Sequence, residues 1–377
     1  MIKFYRNLYQ QPRIFGLDIL RFFAIFFVLL GHSKILLPPS MDSFVNPFLL
    51  DGVAIFFVLS GFLIGGILIK TLQEKQMSGP VLLDFWKRRW LRTIPVYFIV
   101  LIFVLIFGLF LKPERIPESW YKYFLFIQNL GTNQPLFFSE SWSLSIEEWF
   151  YLITPILLAL FIFATKNLKR SLVLVIVLVI IAVIILRYYL YYTHDFQDFL
   201  TVDFTVMRRV FSRLDALMIG VFAAFIKVYY PKRWNNLTHV IFLVIGVLGL
   251  YAIKYFNEDV LDAQTIVWSP FLKSIAVFMM LPYLSSVKKP RYSWMHVFTH
   301  LSLISYSMYL INRTIVIDIL IKFGIFGVLR SNYVIPENWW FYYLLFWLFT
   351  IAISSLMYQW IEVPFLKLRN WKRVKGE

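Results

Sequence analysis

The chain contains no cysteine. Disulfides, iron–sulfur clusters and thiolate nucleophiles are therefore excluded from its chemistry. Histidine is scarce: five residues, His32, His194, His239, His296 and His300, with no HExxH or other close ligand set, so no metal site is expected. Charge is thin and one-sided. Only 15% of residues are charged, and 37 Lys and Arg outnumber 21 Asp and Glu. No internal repeat stands out, and the paired interrupted helices of inverted-repeat transporters are not evident. Residues 1–13 are polar and basic, and the apolar block after them has no small-residue cleavage site, so that block reads as a retained first span rather than a signal peptide.

What is abundant is apolar sequence. Hydrophobic residues make up 60% of the chain and aromatics 20%, with a mean hydropathy of +0.71. They gather into blocks of about 20 residues, the length that crosses a bilayer. We expect an all-α, polytopic membrane bundle of about ten spans, near 15–37, 48–69, 93–111, 142–164, 171–192, 211–230, 238–256, 266–286, 300–322 and 339–361. It reads as a single transmembrane domain over 1–377, with a core of about 14–369. The YKYFLFIQNL stretch in the long 112–141 loop is expected to form a short interfacial or re-entrant helix.

The net charge of +16 does not point to nucleic acid, because the basic residues alternate by loop. Lys3, Arg6 and Arg13, then Lys70, Lys75, Lys87, Arg88, Arg89 and Arg92, then Lys166, Lys169 and Arg170 occupy every second connection. Lys227, Lys232 and Arg233, then Lys288, Lys289 and Arg291, then a tail with Lys367, Arg369, Lys372, Arg373 and Lys375 continue the pattern. The opposite loops carry acids, among them Asp42, Asp51, Glu258, Asp259 and Glu337. By the positive-inside rule, both termini are expected in the cytoplasm.

Ionisable residues inside the apolar blocks are the functional candidates, since charge at membrane depth is costly and normally faces a bundle interior or wet cavity. Arg21 and His32 lie eleven steps apart in the first block, on nearly the same helix face and about 16 Å apart along the axis. Asp18 falls on that stripe, where it either pairs with Arg21 or serves the site. An arginine can fork onto a phosphate, and a histidine can accept a hydroxyl proton. The FWKRRWLRTIP block at 85–95 sets Arg89 and Arg92 three apart, able to clamp one anionic group or simply to anchor the inner interface. The SWSLSIEEWFY block at 141–151 places Ser143 one turn before Glu147, with the adjacent Glu148 on another face. Arg213 and Asp215 open the sixth span and can pair with each other or with a loop. The EVPF segment at 362–365 reads as a helix stop.

Taken in order, these segments resemble the membrane acyltransferase 3 family of integral membrane acyltransferases, which modify cell-surface sugars. The resemblance rests on Arg21 and His32 separated by ten residues, FFVLSGFLI at 56–64, RxxR at Arg89 and Arg92, WSLSxEExFY at 142–151, RLDAL at 213–217, SYSxYL at 305–310 and ExPF at 362–365. It implies an acyltransferase in the inner (plasma) membrane of a bacterium. The donor would be cytoplasmic acyl-CoA, acetyl-CoA by default, and the acceptor a hydroxyl of a polysaccharide, such as lipopolysaccharide, or of a glycolipid. It implies His32 and Glu147 as catalytic, His32 as general base on the acceptor hydroxyl or as transient carrier of the acyl group, with Glu147 orienting His32 or sharing its proton, and Arg21, Arg89 and Arg92 as the CoA site. Asp18, Ser143, Arg213 and Asp215 remain further candidates. Many relatives carry a histidine just after SYSxYL, where this chain has Asn312, so a second catalytic histidine is not implied. A fused SGNH hydrolase-like domain is not expected, which leaves the bundle acting alone or with a separate extracytoplasmic partner. The competing reading is a transporter or exporter of a small anion or acyl group.

Overall fold

A computed structural model describes residues 13–257, 260–325 and 338–374. Lys3, Arg6, Glu258, Asp259, Glu337 and Lys375 lie outside the described residues. Among the described residues there are helices and turns but no strand. In chain order the principal helices are α1 (Phe15–Ser33), α2 (Gly52–Glu74), α3 (Gly79–Leu111), α4 (Ser141–Thr165), α5 (Leu168–Thr193), α6 (Leu214–Tyr229) and α7 (Val240–Asn257). They continue as α8 (Ser269–Ser286), α9 (His296–Ile311), α10 (Trp339–Met357) and α11 (Val363–Val374). A π-helical stretch, Asn312–Ile325, prolongs α9.

Eight described helical segments are long and apolar enough to cross a bilayer. The expected sixth and seventh spans are shorter. The apolar part of α7 is Val240–Phe256, and α6 has 16 residues, about 24 Å of helix against a hydrocarbon thickness of about 30 Å. The protein is thus an all-α multi-pass bundle. Its outer faces are apolar: Ile99, Ile102, Phe103 and Ile106 on α3, and Val177, Leu178, Ile181 and Ile185 on α5 are exposed. A backbone in hydrocarbon must satisfy its own polar groups, and continuous helices do so.

Helix ends are tied to one another. The N–H groups of Phe15 and Gly16 donate to Lys288 O and Val287 O at 3.3 and 2.8 Å, which fixes the start of α1 against the end of α8. Asp51 caps α2 by accepting from Ala54 N at 2.9 Å. The tightest crossing is α2 on α6. A Cβ on Gly61 would lie 1.9 Å from Leu217 O, and one on Gly220 would lie 2.2 Å from Val58 O, so these positions have no room for a side chain.

Three expectations change. α3 begins at Gly79 rather than near 93, so Arg89 and Arg92 stand on the helix itself and not in a loop. The stretch after residue 120 is not a re-entrant helix: it makes one 3-10 turn, Trp120–Tyr123. Beyond that turn, Asn129 donates to Trp142 O and Arg208 O at 3.0 and 2.6 Å, while Tyr123 and Phe126 are buried in the core beside Tyr97. Glu362 is no helix stop, because Tyr358–Glu362 forms a π turn and the chain runs on into α11. Pro364 then falls directly after the π turn, inside one continuous helical segment, Trp339–Leu368.

Two hydrophobic clusters fill the bundle. One joins parts of α1, α2, α3, α4, α5, α6 and α8, the other parts of α1, α3, α4, α9 and α10. Helices α1, α3 and α4 contribute to both, and Arg21, Arg89, Arg92 and Glu147 lie along that seam.

Candidate active site

A cavity opens in the seam, walled by α1, α2, α3, α4 and α9. Arg21, Arg89 and Arg92 all line it, with Glu147 and Ser143 from α4 and Tyr306 and Tyr309 from α9. Arg21 on α1 therefore shares one space with Arg89 and Arg92 on α3. Arg89 is buried, Arg21 half-buried and Arg92 exposed, which grades the cationic wall from interior to mouth. Neither Arg21 nor Arg92 forms an ion pair with another described residue, so both guanidinium groups present donors to the cavity.

The adjacent glutamates divide as a helix requires. Glu147 faces the cavity and accepts from Tyr151 Oη at 2.8 Å, while Ser60 Oγ lies 3.0 Å from the same phenol oxygen. Glu148 points away, is buried and accepts from Thr93 Oγ1 at 2.7 Å. Tyr306 Oη donates to Thr93 O at 2.7 Å, which ties α9 to α3 beside the arginines. Ser143 Oγ donates to Tyr309 Oη at 2.7 Å and so holds that ring on the cavity wall.

His32 is half-buried beyond the Tyr309 end of the cavity and is not among its lining residues. Its Nδ1 lies 2.6 Å from Oδ1 of Asn312. Among the described residues Glu147 is not its partner: that carboxylate is held by Tyr151, one turn along its own helix, and Asn312 occupies the place expected of it. Neither Asn312 nor Glu140, which contacts the same segment, was identified from the sequence as a site residue. Two signals were present: Asn312 interrupts an apolar run just after SYSMYL, at the place where many relatives carry a histidine, and Glu140 stands directly before the α4 block.

The remaining candidates sit elsewhere. Asp18 is buried and pairs with Arg13, at 2.5 and 3.0 Å, and with Ser302 Oγ at 2.9 Å, rather than with Arg21. Asp215 is fully buried and accepts from Arg187 at 2.7 Å. Arg213 faces the other way, 3.8 Å from Asp51, so these two neighbours do not pair with each other. Arg213 instead lines a second cavity with Asp51, Asp203, Lys254, Lys273 and Trp142. That cavity lies at the His32 end of the bundle, since its Leu49 is next to Gly31, and Val53 lines both spaces. Among the described residues no group of three or more potential metal ligands converges.

Fold and site together define an all-α, multi-pass membrane protein with an arginine-lined cavity beneath a hydrogen-bonded histidine. The chain belongs to the acyltransferase family: the family model described as an acyltransferase domain matches residues 14–359. It is 38% identical over 141 residues to the peptidoglycan O-acetyltransferase OatA of Listeria monocytogenes, covering 33% of this chain and 22% of that protein. It is 33% identical over 190 residues to the O-acetyltransferase OatA of Staphylococcus aureus, covering 45% of this chain and 29% of that one. A further Staphylococcus aureus protein, SAS0844, is 24% identical over 396 residues, 98% of this chain and 60% of its own length. The chain thus spans less than two thirds of each of these relatives. No solved structure matches it.

Proposed function

We propose that the protein is an O-acyltransferase of the bacterial inner membrane. It takes an acyl group, acetyl in the first instance, from cytoplasmic acyl-CoA and places it on a hydroxyl of a cell-surface polysaccharide or glycolipid. One observation carries this reading: Arg21, Arg89 and Arg92 line a single cavity whose wall residue Tyr309 is linked through Asn312 to His32. Arginine forks suit the phosphates of CoA. His32 lies about 16 Å further along α1, a span that calls for an extended donor with its charge at one end and its reactive group at the other. The alternation of basic loops supports an arginine end that faces the cytoplasm.

In this mechanism His32 accepts the proton of the acceptor hydroxyl as its oxygen attacks the thioester carbonyl. The carbon–sulfur bond then breaks, and the proton leaves with the CoA thiolate as free CoA. The second cavity, bounded by Asp51, Arg213, Lys273 and Trp142, is the proposed acceptor entrance. The names of the Listeria and Staphylococcus relatives agree with O-acetyl transfer.

The test is mass analysis of surface glycans from cells with and without the gene, paired with purified protein in liposomes given acetyl-CoA labelled in the acetyl group. An acetyl mass increment on a glycan, lost in His32→Ala, is expected. Transmembrane flux of the label with no acylated product would instead establish the transporter reading.

A further inference from the structure

We propose that Glu140 and Asn312 are positioning residues that hold His32 in one tautomer, with the proton on Nδ1 and the lone pair on Nε2. The inference rests on the proposed role of His32 as a base and adds which nitrogen acts and what selects it.

The argument starts at the backbone of α9. In a continuous α-helix the N–H groups of Arg313 and Thr314 would point at the carbonyls of Tyr309 and Leu310, four residues back. Here both N–H groups donate to Oε1 of Glu140, at 3.0 and 2.7 Å, and Thr314 Oγ1 donates to Oε2 at 2.5 Å. Glu140 is 1% exposed, so a buried carboxylate from the start of α4 is satisfied by three donors of one helical turn. The change from α to π geometry falls at this turn, with α9 ending at Ile311 and the π stretch beginning at Asn312. π-bulges commonly mark functional positions.

Drawing the Arg313 N–H aside leaves the Tyr309 carbonyl without its α-helical donor. Asn312 Nδ2 donates to Met308 O at 3.0 Å and to Tyr309 O at 2.8 Å. Both amide hydrogens are thereby used. The opposite amide orientation would set Oδ1 against two carbonyl oxygens, so the network fixes Oδ1 toward His32. An oxygen with no hydrogen, 2.6 Å from Nδ1, requires that Nδ1 carry the proton. In the neutral ring Nε2 is then bare, and among the described residues it has no hydrogen-bond partner. The same network reaches the arginine-lined cavity, because Tyr309, whose carbonyl helps lock Asn312, is the residue that Ser143 holds on the cavity wall.

The experiment labels the histidines of the full chain with nitrogen-15 and reads the imidazole nitrogens by NMR, with the His32 signals identified by their loss in His32→Ala. Acetyl transfer is measured alongside as separate kcat and KM for acetyl-CoA. In the unsubstituted protein the neutral ring should show a protonated Nδ1 and a bare Nε2. Asn312→Ala should release the ring toward the Nε2-protonated form and lower kcat on the order of 10²-fold, the scale of general-base catalysis, with KM unchanged. Glu140→Ala should do the same. Glu140→Gln should restore most of kcat, since its carbonyl can accept both backbone N–H groups and its amide can donate to Thr314 Oγ1. An Nε2-protonated ring in the unsubstituted protein would overturn the proposal whether or not any variant folds. So would an Asn312→Ala protein that keeps both tautomer and kcat. Full transfer by His32→Ala would instead overturn the functional reading itself.

Discussion

Arg187 donates to Asp215 across 2.7 Å with both side chains fully buried, and two further N–H groups donate to the carbonyls of Ser212 and Val267 at 2.8 and 3.1 Å. One guanidinium thus gathers α5, the start of α6 and the turn before α8 at the His32 end of the bundle. Asp215 belongs to this clamp and Arg213 to the neighbouring cavity, although the two stand two positions apart.

Breaking the clamp from one side leaves a charge buried without a partner, a loss of about 3–5 kcal/mol. Arg187→Ala should therefore lower the thermal transition of the detergent-purified protein sharply. Combining Arg187→Met with Asp215→Leu should recover much of that loss. A single variant as stable as the parent would show that the pair does not hold the frame.

The arginine wall predicts a binding phenotype. Charged hydrogen bonds are worth about 1.5–3 kcal/mol each, so Arg21→Gln or Arg92→Gln should raise KM for acetyl-CoA roughly 10- to 100-fold. The effect should shrink as salt weakens the parent's own binding. Steady-state kinetics at two ionic strengths decide it, and an unchanged KM removes these residues from the donor site.

Asp18 should behave differently from Arg21 despite sharing its helix. Its carboxylate ties Arg13 and Ser302, and it does not line the cavity. Asp18→Asn is expected to reduce stability by about 1–3 kcal/mol while KM for acetyl-CoA stays within twofold. A melting curve and a substrate titration on the same preparation separate the two effects.

The α2–α6 crossing supplies a packing test with an internal control. Gly61→Ala places a Cβ 1.9 Å from a backbone oxygen, so the helices must part, at about 1–3 kcal/mol or more. Gly66→Ala meets nothing within 4 Å and should be neutral or slightly stabilising, since alanine favours the helix. Equal melting temperatures for the two variants would mean that the crossing is looser than described.

Much of the fold was legible in the sequence because hydrocarbon imposes a simple rule: apolar blocks of a set length become helices, and basic residues collect in alternate loops. The ends of α1, α4 and α5 fall close to their expected bounds for that reason. α3 was read short because Lys87 to Arg92 look like loop residues, whereas a helix that projects beyond the apolar layer carries charge freely. At the site, intramembrane charge was enough to single out Arg21, Glu147 and His32, and the dense basic run at 87–92 to single out Arg89 and Arg92. The partners were not legible, because partnership is decided by which helices cross and at what rotation. The sequence by itself determined an all-α membrane bundle of the acyltransferase type and the ionisable residues it keeps inside. Only the tertiary structure decided that Asp18 turns to Arg13, that Asp215 turns to Arg187, and that His32 meets Asn312 rather than Glu147. Hydrophobic periodicity records how deep a residue lies and says nothing of its neighbour on another helix, and a hydrogen bond that reaches from residue 32 to residue 312 exists only once α1 and α9 have packed.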